Sequence, residues 1–312
     1  MTIDQILKDK GFAIISVSAG ETLAAAAQTL DAKRIGAVVA LDDDGSIVGV
    51  LSERDIVRHV ARQGASALNL NVGDDGMKVI SLCIANGSLP NLKSLFLTNN
   101  YIGDTGMTAF ADALRMVPSV ALANLEELSL SRNLIGDTGM MAFAKAIKPT
   151  DKSPMGPLAS LKYLKLGGNK IGDVGMETFA DAIASGAMGS LLSLNLAINM
   201  ISDVGMVLFA RAIKPTEQFS MGPLWNLTHL LLSYNQISDE GMRAFSEAIS
   251  SHSLPNVQDL MLNSNQIGDV GMIAFEEVLC SMQKLERVLI RENPGHQTGV
   301  TAACRVLRVI CG

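Results

Sequence analysis

Two kinds of side chain recur along this chain at spacings that could do chemistry. Asp104, Asp137, Asp173, Asp203, Asp239 and Asp269 are each followed by x-Gly-Met, and Asn100, Asn133, Asn169, Asn199, Asn235, Asn265 and Asn293 stand a few residues ahead of them or alone. As ligands, the carboxylates would form a metal array and the amides a polar binding strip. As structural groups, an Asp opening an apolar helical period accepts from free backbone N–H groups at the positive end of the helix dipole. An Asn just after a strand bonds turn groups that no ladder serves. One carboxylate per repeat lies a whole repeat from the next, which does not suit an ion that gathers several oxygens from one loop. The structural reading is therefore preferred for both columns.

Other reactive sets are sparse. G-x-x-x-x-G-K-[ST], H-E-x-x-H and G-x-S-x-G are absent, and His59, His229, His252 and His296 are scattered. Cys83, Cys280, Cys304 and Cys311 form no C-x-x-C pair and sit in apolar, helical-looking surroundings, which reads as buried reduced thiols. The run DDDG from Asp42 joins two β-branched stretches as a hairpin turn; its spacing does not suit calcium and no Glu closes it. No catalytic residue and no metal ligand is expected.

The elements that position the columns are repeats. LKSLFLTNNYIGDTGM from Leu92 returns from Leu125, Leu161, Leu191, Leu227 and Val257. Leucines two apart lie on one face of a short strand: Leu95 and Leu97, Leu128 and Leu130, Leu164 and Leu166, Leu194 and Leu196, Leu230 and Leu232, Leu260 and Leu262. After the Asp the period becomes helical, with Met107, Phe110, Ala111 and Leu114 on one face. Gly106 and its equivalents fit tight packing near the strand layer. Such units stack into an α/β solenoid, with a parallel sheet lined by leucine and helices outside.

The outward strand positions are then a contact surface. Phe96, Tyr163, Lys165, His229, Leu231, Tyr234, Met261 and Leu289 are the expected partner-binding residues, with the apolar ones gathered toward the C-terminal end. Two long units carry near-copies of one loop, AIKPTDKSPMGPL from Ala146 and AIKPTEQFSMGPL from Ala212. Matched position puts both on one rim, as binding loops or as relics of duplicating a two-unit block.

The L-x-x-L-x-L-x-x-N-x-I pattern resembles the ribonuclease-inhibitor-like class of leucine-rich repeats over about residues 68–312. That resemblance implies a right-handed α/β horseshoe. Residues 67–90 would be an atypical first repeat, 91–293 the regular repeats, and 294–312 a C-terminal cap helix with Val300, Cys304 and Leu307 on one face.

Residues 1–66 carry no repeat. They read as helix, strand, helix, two strands and helix, a small α+β half-domain. Gly49-Val50-Leu51-Ser52-Glu53-Arg54-Asp55 is similar to the G-x-I-S/T-x-x-D signature of the cystathionine-β-synthase (CBS) motif, and Ile35-Gly36-Ala37 fits that family's adenine-side strand. The resemblance implies that Ser52 faces a phosphate, Asp55 holds ribose hydroxyls and Arg54 pairs with phosphate. The implied ligand is an adenosine nucleotide: AMP, ATP or S-adenosylmethionine. Ser52 as the cap of a helix starting near Glu53 is the structural alternative. Such motifs come in pairs, and this one is single, which implies a homodimer through its open face or docking onto the first repeat.

Composition narrows the partner. Of 312 residues, 48% are hydrophobic and 18% charged, with net charge −6. No basic footprint points to nucleic acid or an anionic membrane. The N-terminus lacks a signal-peptide core and no apolar run approaches the ~20 residues of a membrane span, so a cytoplasmic location is expected. The expected function is a non-enzymatic scaffold for an unknown protein partner, requiring no cofactor. An adenosine-nucleotide sensor is the alternative, and an adaptor of the Ran GTPase-activating type follows from class similarity alone.

Overall fold

The computed structural model describes residues 15–18, 21, 23–41, 47–52, 56–57, 73–85, 89, 92–116, 122–151, 153–296, 301 and 310–311. The chain divides into two compact units, Met1–Leu70 and Asn71–Gly312.

In the first unit β1 (Ser16–Ser18), α1 (Leu23–Lys33), β2 (Ala37–Leu41) and β3 (Ile47–Ser52) are described. The sheet order is β1-β2-β3, with β1 parallel to β2 and β2 antiparallel to β3. A parallel pair needs a crossover, and α1 supplies it, burying Ala26 and Leu30. The expected DDDG turn between β2 and β3 and the expected first helix lie outside the described residues. Of the expected last helix, only Ile56 and Val57 are described, and both are buried.

The second unit is a solenoid. Its strands are β4 (Ser94–Phe96), β5 (Glu127–Ser129), β6 (Tyr163–Lys165), β7 (Ser193–Asn195), β8 (His229–Leu231), β9 (Asp259–Met261), β10 (Arg287–Leu289) and β11 (Ile310–Cys311). They form one sheet in sequence order, and every described pairing is parallel. The register is unbroken: Leu95, Leu128, Leu164, Leu194, Leu230, Leu260 and Val288 stand side by side, each fully buried.

The helices are α2 (Gly73–Ala85), α3 (Asp104–Met116), α4 (Asp137–Ile147), α5 (Asp173–Ala184), α6 (Asp203–Ala212), α7 (Asp239–Ser250) and α8 (Asp269–Val278). From α3 to α8 each presents the same apolar stripe to the sheet, with Phe110, Phe143, Phe179, Phe209, Phe245 and Phe275 wholly buried. Phe110 and Phe143 stack with centroids 6.3 Å apart. Truncating one such ring to Ala would cost about 3–5 kcal/mol.

The asparagine column bolts neighbouring coils together. Asn169 Nδ2 donates to Leu166 O of its own coil at 2.8 Å and to Leu130 O of the preceding coil at 3.0 Å. Its Oδ1 accepts from Ile135 N at 3.1 Å. The pattern recurs at Asn133, Asn199, Asn235, Asn265 and Asn293.

The aspartates cap, but not their own helices. Each is the first helical residue, and its carboxylate serves the next coil. Asp104 Oδ1 accepts from Gly136 N at 2.7 Å and Gly139 N at 2.9 Å, and Asp137 Oδ1 from Gly172 N and Gly175 N at the same distances. Asp74, in α2, does this for Gly103 and Gly106. This corrects the expected cap on the same helix. It also corrects the expected role of the repeated glycine. A Cβ on Gly175 would stand 2.8 Å from Asp137 Oδ1, so the glycine admits the preceding helix's carboxylate rather than the strand layer.

Two further expectations change. The C-terminal segment is not helical to its end: Thr301 is helical, but Ile310–Cys311 is a strand that extends the ladder of β10, as suits a β-branched residue at a sheet edge. Cys280 is exposed, in a 3-10 turn at Leu279–Ser281, not buried; Cys311 is in a strand and Cys304 lies outside the described residues.

Candidate functional site

With leucines filling the inside of every coil, the alternate strand positions face out from the sheet's open side. One outward column runs Ser94, Glu127, Tyr163, Ser193, His229, Asp259 and Arg287; the next runs Phe96, Ser129, Lys165, Asn195, Leu231, Met261 and Leu289. Except for buried Ser129 and exposed Tyr163, all are half-buried.

The N-terminal part of this face is neutralised in pairs. Lys165 Nζ meets Glu127 Oε1 at 2.6 Å. At the entry edge of the same strands, Glu126 lies between Lys162 at 2.7 Å and Lys93 at 3.4 Å. The Lys162 hydrogen bond and charge hold the Glu126 carboxyl below its ordinary range, and Glu126 in turn raises the Lys162 ammonium.

The C-terminal part is organised around one carboxylate. Asp259 Oδ2 meets His229 Nε2 at 3.0 Å, and Asp259 Oδ1 accepts from Arg287 Nε at 2.8 Å. His229 Nδ1 lies 2.7 Å from Thr228 Oγ1, whose hydroxyl donates to Leu192 O. These groups come from three adjacent strands at one register. The Asp259 side chain is 14% exposed, whereas His229 and Arg287 are each 42% exposed, so the carboxylate lies beneath its two partners. Both nitrogens of His229 are engaged, one with Asp259 Oδ2 and the other with Thr228 Oγ1. Beside it, Leu231, Met261 and Leu289 form an uninterrupted apolar row, paired across β8, β9 and β10.

The structure thus brings His229, Leu231, Met261 and Leu289 together. Phe96 lies at the far end of the same column, with Tyr163 and Lys165 between. Tyr234 stands just past β8 on the rim, 52% exposed. Asp259 and Arg287, outward positions of β9 and β10, and Arg291, just past β10, were absent from the expected contact set; their signal was their place in the outward alternation.

A rim feature escaped the sequence altogether. The residue before each column asparagine is left-handed: Asn99, Arg132, Gly168, Ile198, Tyr234, Ser264 and Glu292, with φ from 54° to 75°. Only one is glycine. The ladder continues through them, with Ile198 N donating to Ser233 O and Tyr234 N to Asn263 O. Ile198 and Met200 stand exposed beside Tyr234 on this rim.

In the first unit, Ala37 pairs across the hairpin with Ser52, so the strand after Ile35 and Gly36 runs beside the end of β3. Ile35 and Ser52 are half-buried, and Gly36 and Ala37 exposed. Arg54 and Asp55 lie outside the described residues. Among the described residues no three His, Cys, Asp or Glu side chains converge as metal ligands would.

The leucine-rich repeat family model matches residues 88–111, 121–144, 158–180, 226–246 and 253–275. These coils are leucine-rich repeats. The coil around Leu194 and Asn199 lies between matched segments and has the same geometry. The CBS domain model matches residues 12–62. Among solved structures, a CBS-domain containing protein from Agrobacterium tumefaciens is 42% identical over 22% of this chain and 54% of its own, with a TM-score of 0.21. A TDR receptor is 20% identical over 68% of this chain and 32% of its own, with a TM-score of 0.39. The chain therefore spans about half of the first and a third of the second. No curated protein is similar enough to stand as a relative. Among the described residues no helix is long and apolar enough to cross a membrane.

Proposed function

We propose that the chain is a non-enzymatic scaffold whose open sheet face holds a protein partner. The observation that carries this reading is the half-exposed row Leu231, Met261 and Leu289. These side chains do no work in the coil, where Leu230, Leu260 and Val288 fill the core instead. An apolar row framed by charged groups has the make-up of an interface centre with a polar rim. Tyr163, Lys165, His229, Tyr234 and Phe96 extend it.

Affinity capture with the full chain and with Leu231→Asp and Met261→Asp variants tests this. Proteins retained by the parent chain and lost by both variants, at unchanged melting temperature, are the expected result. Retention indifferent to both substitutions would defeat it.

A second reading has its own observation. The pairing of Ala37 with Ser52 sets a backbone edge beside a hydroxyl, the layout an adenosine nucleotide would use if Ile35, Gly36 and Ala37 lined the base and Ser52, Arg54 and Asp55 the phosphate and ribose. Titration calorimetry with AMP, ATP and S-adenosylmethionine decides it. Heat abolished by Asp55→Ala supports a sensor; silence with all three refutes one.

A further inference from the structure

We propose that the C-terminal end of the open sheet face binds an extended peptide in which carboxylates flank an apolar side chain, with the spacing Asp/Glu-x-apolar-x-Asp/Glu. The proposal rests on the open-face reading above and names the chemistry of its partner.

Side chains alternate along the coil of β10. Val288 and Ile290 are fully buried, so Arg287, Leu289 and Arg291 face the open side in turn. Arg287 is held through Nε alone; among the described residues its terminal guanidinium N–H groups have no partner. Arg291 is exposed, and among the described residues its side chain makes no hydrogen bond or ion pair. Two guanidinium forks therefore bracket one leucine.

Neighbouring strands sharpen the pattern. Leu289 continues into Met261 and Leu231, so the apolar row is three strands wide. His229 and Arg287 cover the Asp259 carboxylate, which leaves donors rather than acceptors at the surface of that cluster. Glu292, on the rim, is occupied by Ser264 Oγ. The face thus reads cation, apolar, cation.

Extended chains place same-side residues about 7 Å apart. A peptide lying along β10 meets Arg287, Leu289 and Arg291 at that same interval. Guanidinium groups pair bidentately with carboxylates, which adds geometric selection to charge. A basic peptide would meet repulsion at both forks, so the arrangement also rejects.

The test uses the full chain and a fluorescein-labelled peptide, Asp-Ser-Leu-Ser-Asp-Ser-Leu-Ser-Asp, by anisotropy. Three controls replace its aspartates with lysine, its aspartates with serine, or its leucines with serine. Folding of every variant is checked by circular dichroism and urea midpoint. The expected result is saturable binding of the acidic apolar peptide that weakens as salt rises. Arg291→Glu should weaken it about tenfold and Leu289→Ser about as much, with Lys170→Glu on the distant rim neutral. Failure of the acidic peptide to bind, or equal binding of the lysine peptide, overturns the proposal. If the serine-for-aspartate peptide binds as well, is lost in Leu231→Asp and ignores Arg291→Glu, the acidic chemistry falls and the open-face reading survives. If binding ignores Leu231→Asp, Leu289→Ser and Arg291→Glu together, both fall.

Discussion

Asn199→Ala should destabilise the solenoid by about 3 kcal/mol, and the structure shows how that sum arises. Asn199 is 8% exposed. Its Oδ1 accepts from Ile171 N at 3.1 Å, and its Nδ2 donates to Leu166 O and Leu196 O, both at 3.1 Å. The two carbonyls keep one donor each, from Asn169 and Asn235. The Ile171 amide loses its acceptor in a buried place, which costs about 1–3 kcal/mol, and each weakened carbonyl adds roughly half to one. Urea unfolding followed by far-ultraviolet circular dichroism measures the total. Amide exchange at Ile171 localises it, because the effect should cross to the preceding coil. Asn199→Asp sharpens the test. It keeps the acceptor for Ile171 but turns a carboxylate oxygen on two carbonyl oxygens, so at neutral pH it should be no better than Ala despite its matching shape. A cost below about 1 kcal/mol for Ala, or a neutral Asp variant, would refute the bolt.

Two further outcomes follow from single groups. Ser246 is 3% exposed, its hydroxyl has no partner among the described residues, and Ala111, Ala144, Ala180 and Ala210 fill the same place in other helices; Ser246→Ala should raise stability by about 1 kcal/mol and the melting temperature by roughly 2–4 °C, and a loss of stability would show the hydroxyl is satisfied. The Asp269 carboxyl is held below its ordinary value of 3.8 by the His296 backbone N–H, then by the His296 ring. Its folded pKa is depressed, so the stability it adds is present above the ordinary value and lost as pH falls through the folded one. Carboxyl NMR should find its midpoint below 3.8, and a midpoint at or above that value would contradict the contact.

Much of the solenoid was legible because its signals are local. The L-x-L spacing gave each strand, its inward face and the in-register row of buried leucines. The Asn column was legible as a bonding group because a buried amide after a strand must meet backbone. What was not legible is the direction of each bond. Asp137 looks like the cap of its own helix, since sequence distance favours the local partner. Its carboxylate instead reaches Gly172 and Gly175, 35 and 38 residues away, because stacking sets consecutive helix starts side by side. The left-handed column was hidden for a different reason. Only Gly168 advertises it, while Ile198, a β-branched residue, adopts φ 56° because the ladder on either side fixes the turn. The His229–Asp259–Arg287 cluster was hidden because its members are 30 and 28 residues apart and meet only through the register of β8, β9 and β10.

The division of labour within a coil makes the open face informative. Leucine, phenylalanine, asparagine and aspartate carry the stacking, and they recur almost without change from coil to coil. Outward strand positions lie outside that core, so core packing does not dictate their chemistry. At those positions one part of the face pairs Lys165 with Glu127, and another sets Leu231, Met261 and Leu289 beside the His229–Asp259–Arg287 cluster. A fold indifferent to these residues would tolerate soluble side chains there. A half-exposed apolar row bracketed by guanidinium groups costs solubility without adding to the core, since the buried leucines beneath it are complete in every coil. The structural columns explain why the solenoid stands. The outward columns differ from coil to coil, and their contrast is strongest between β8 and β10.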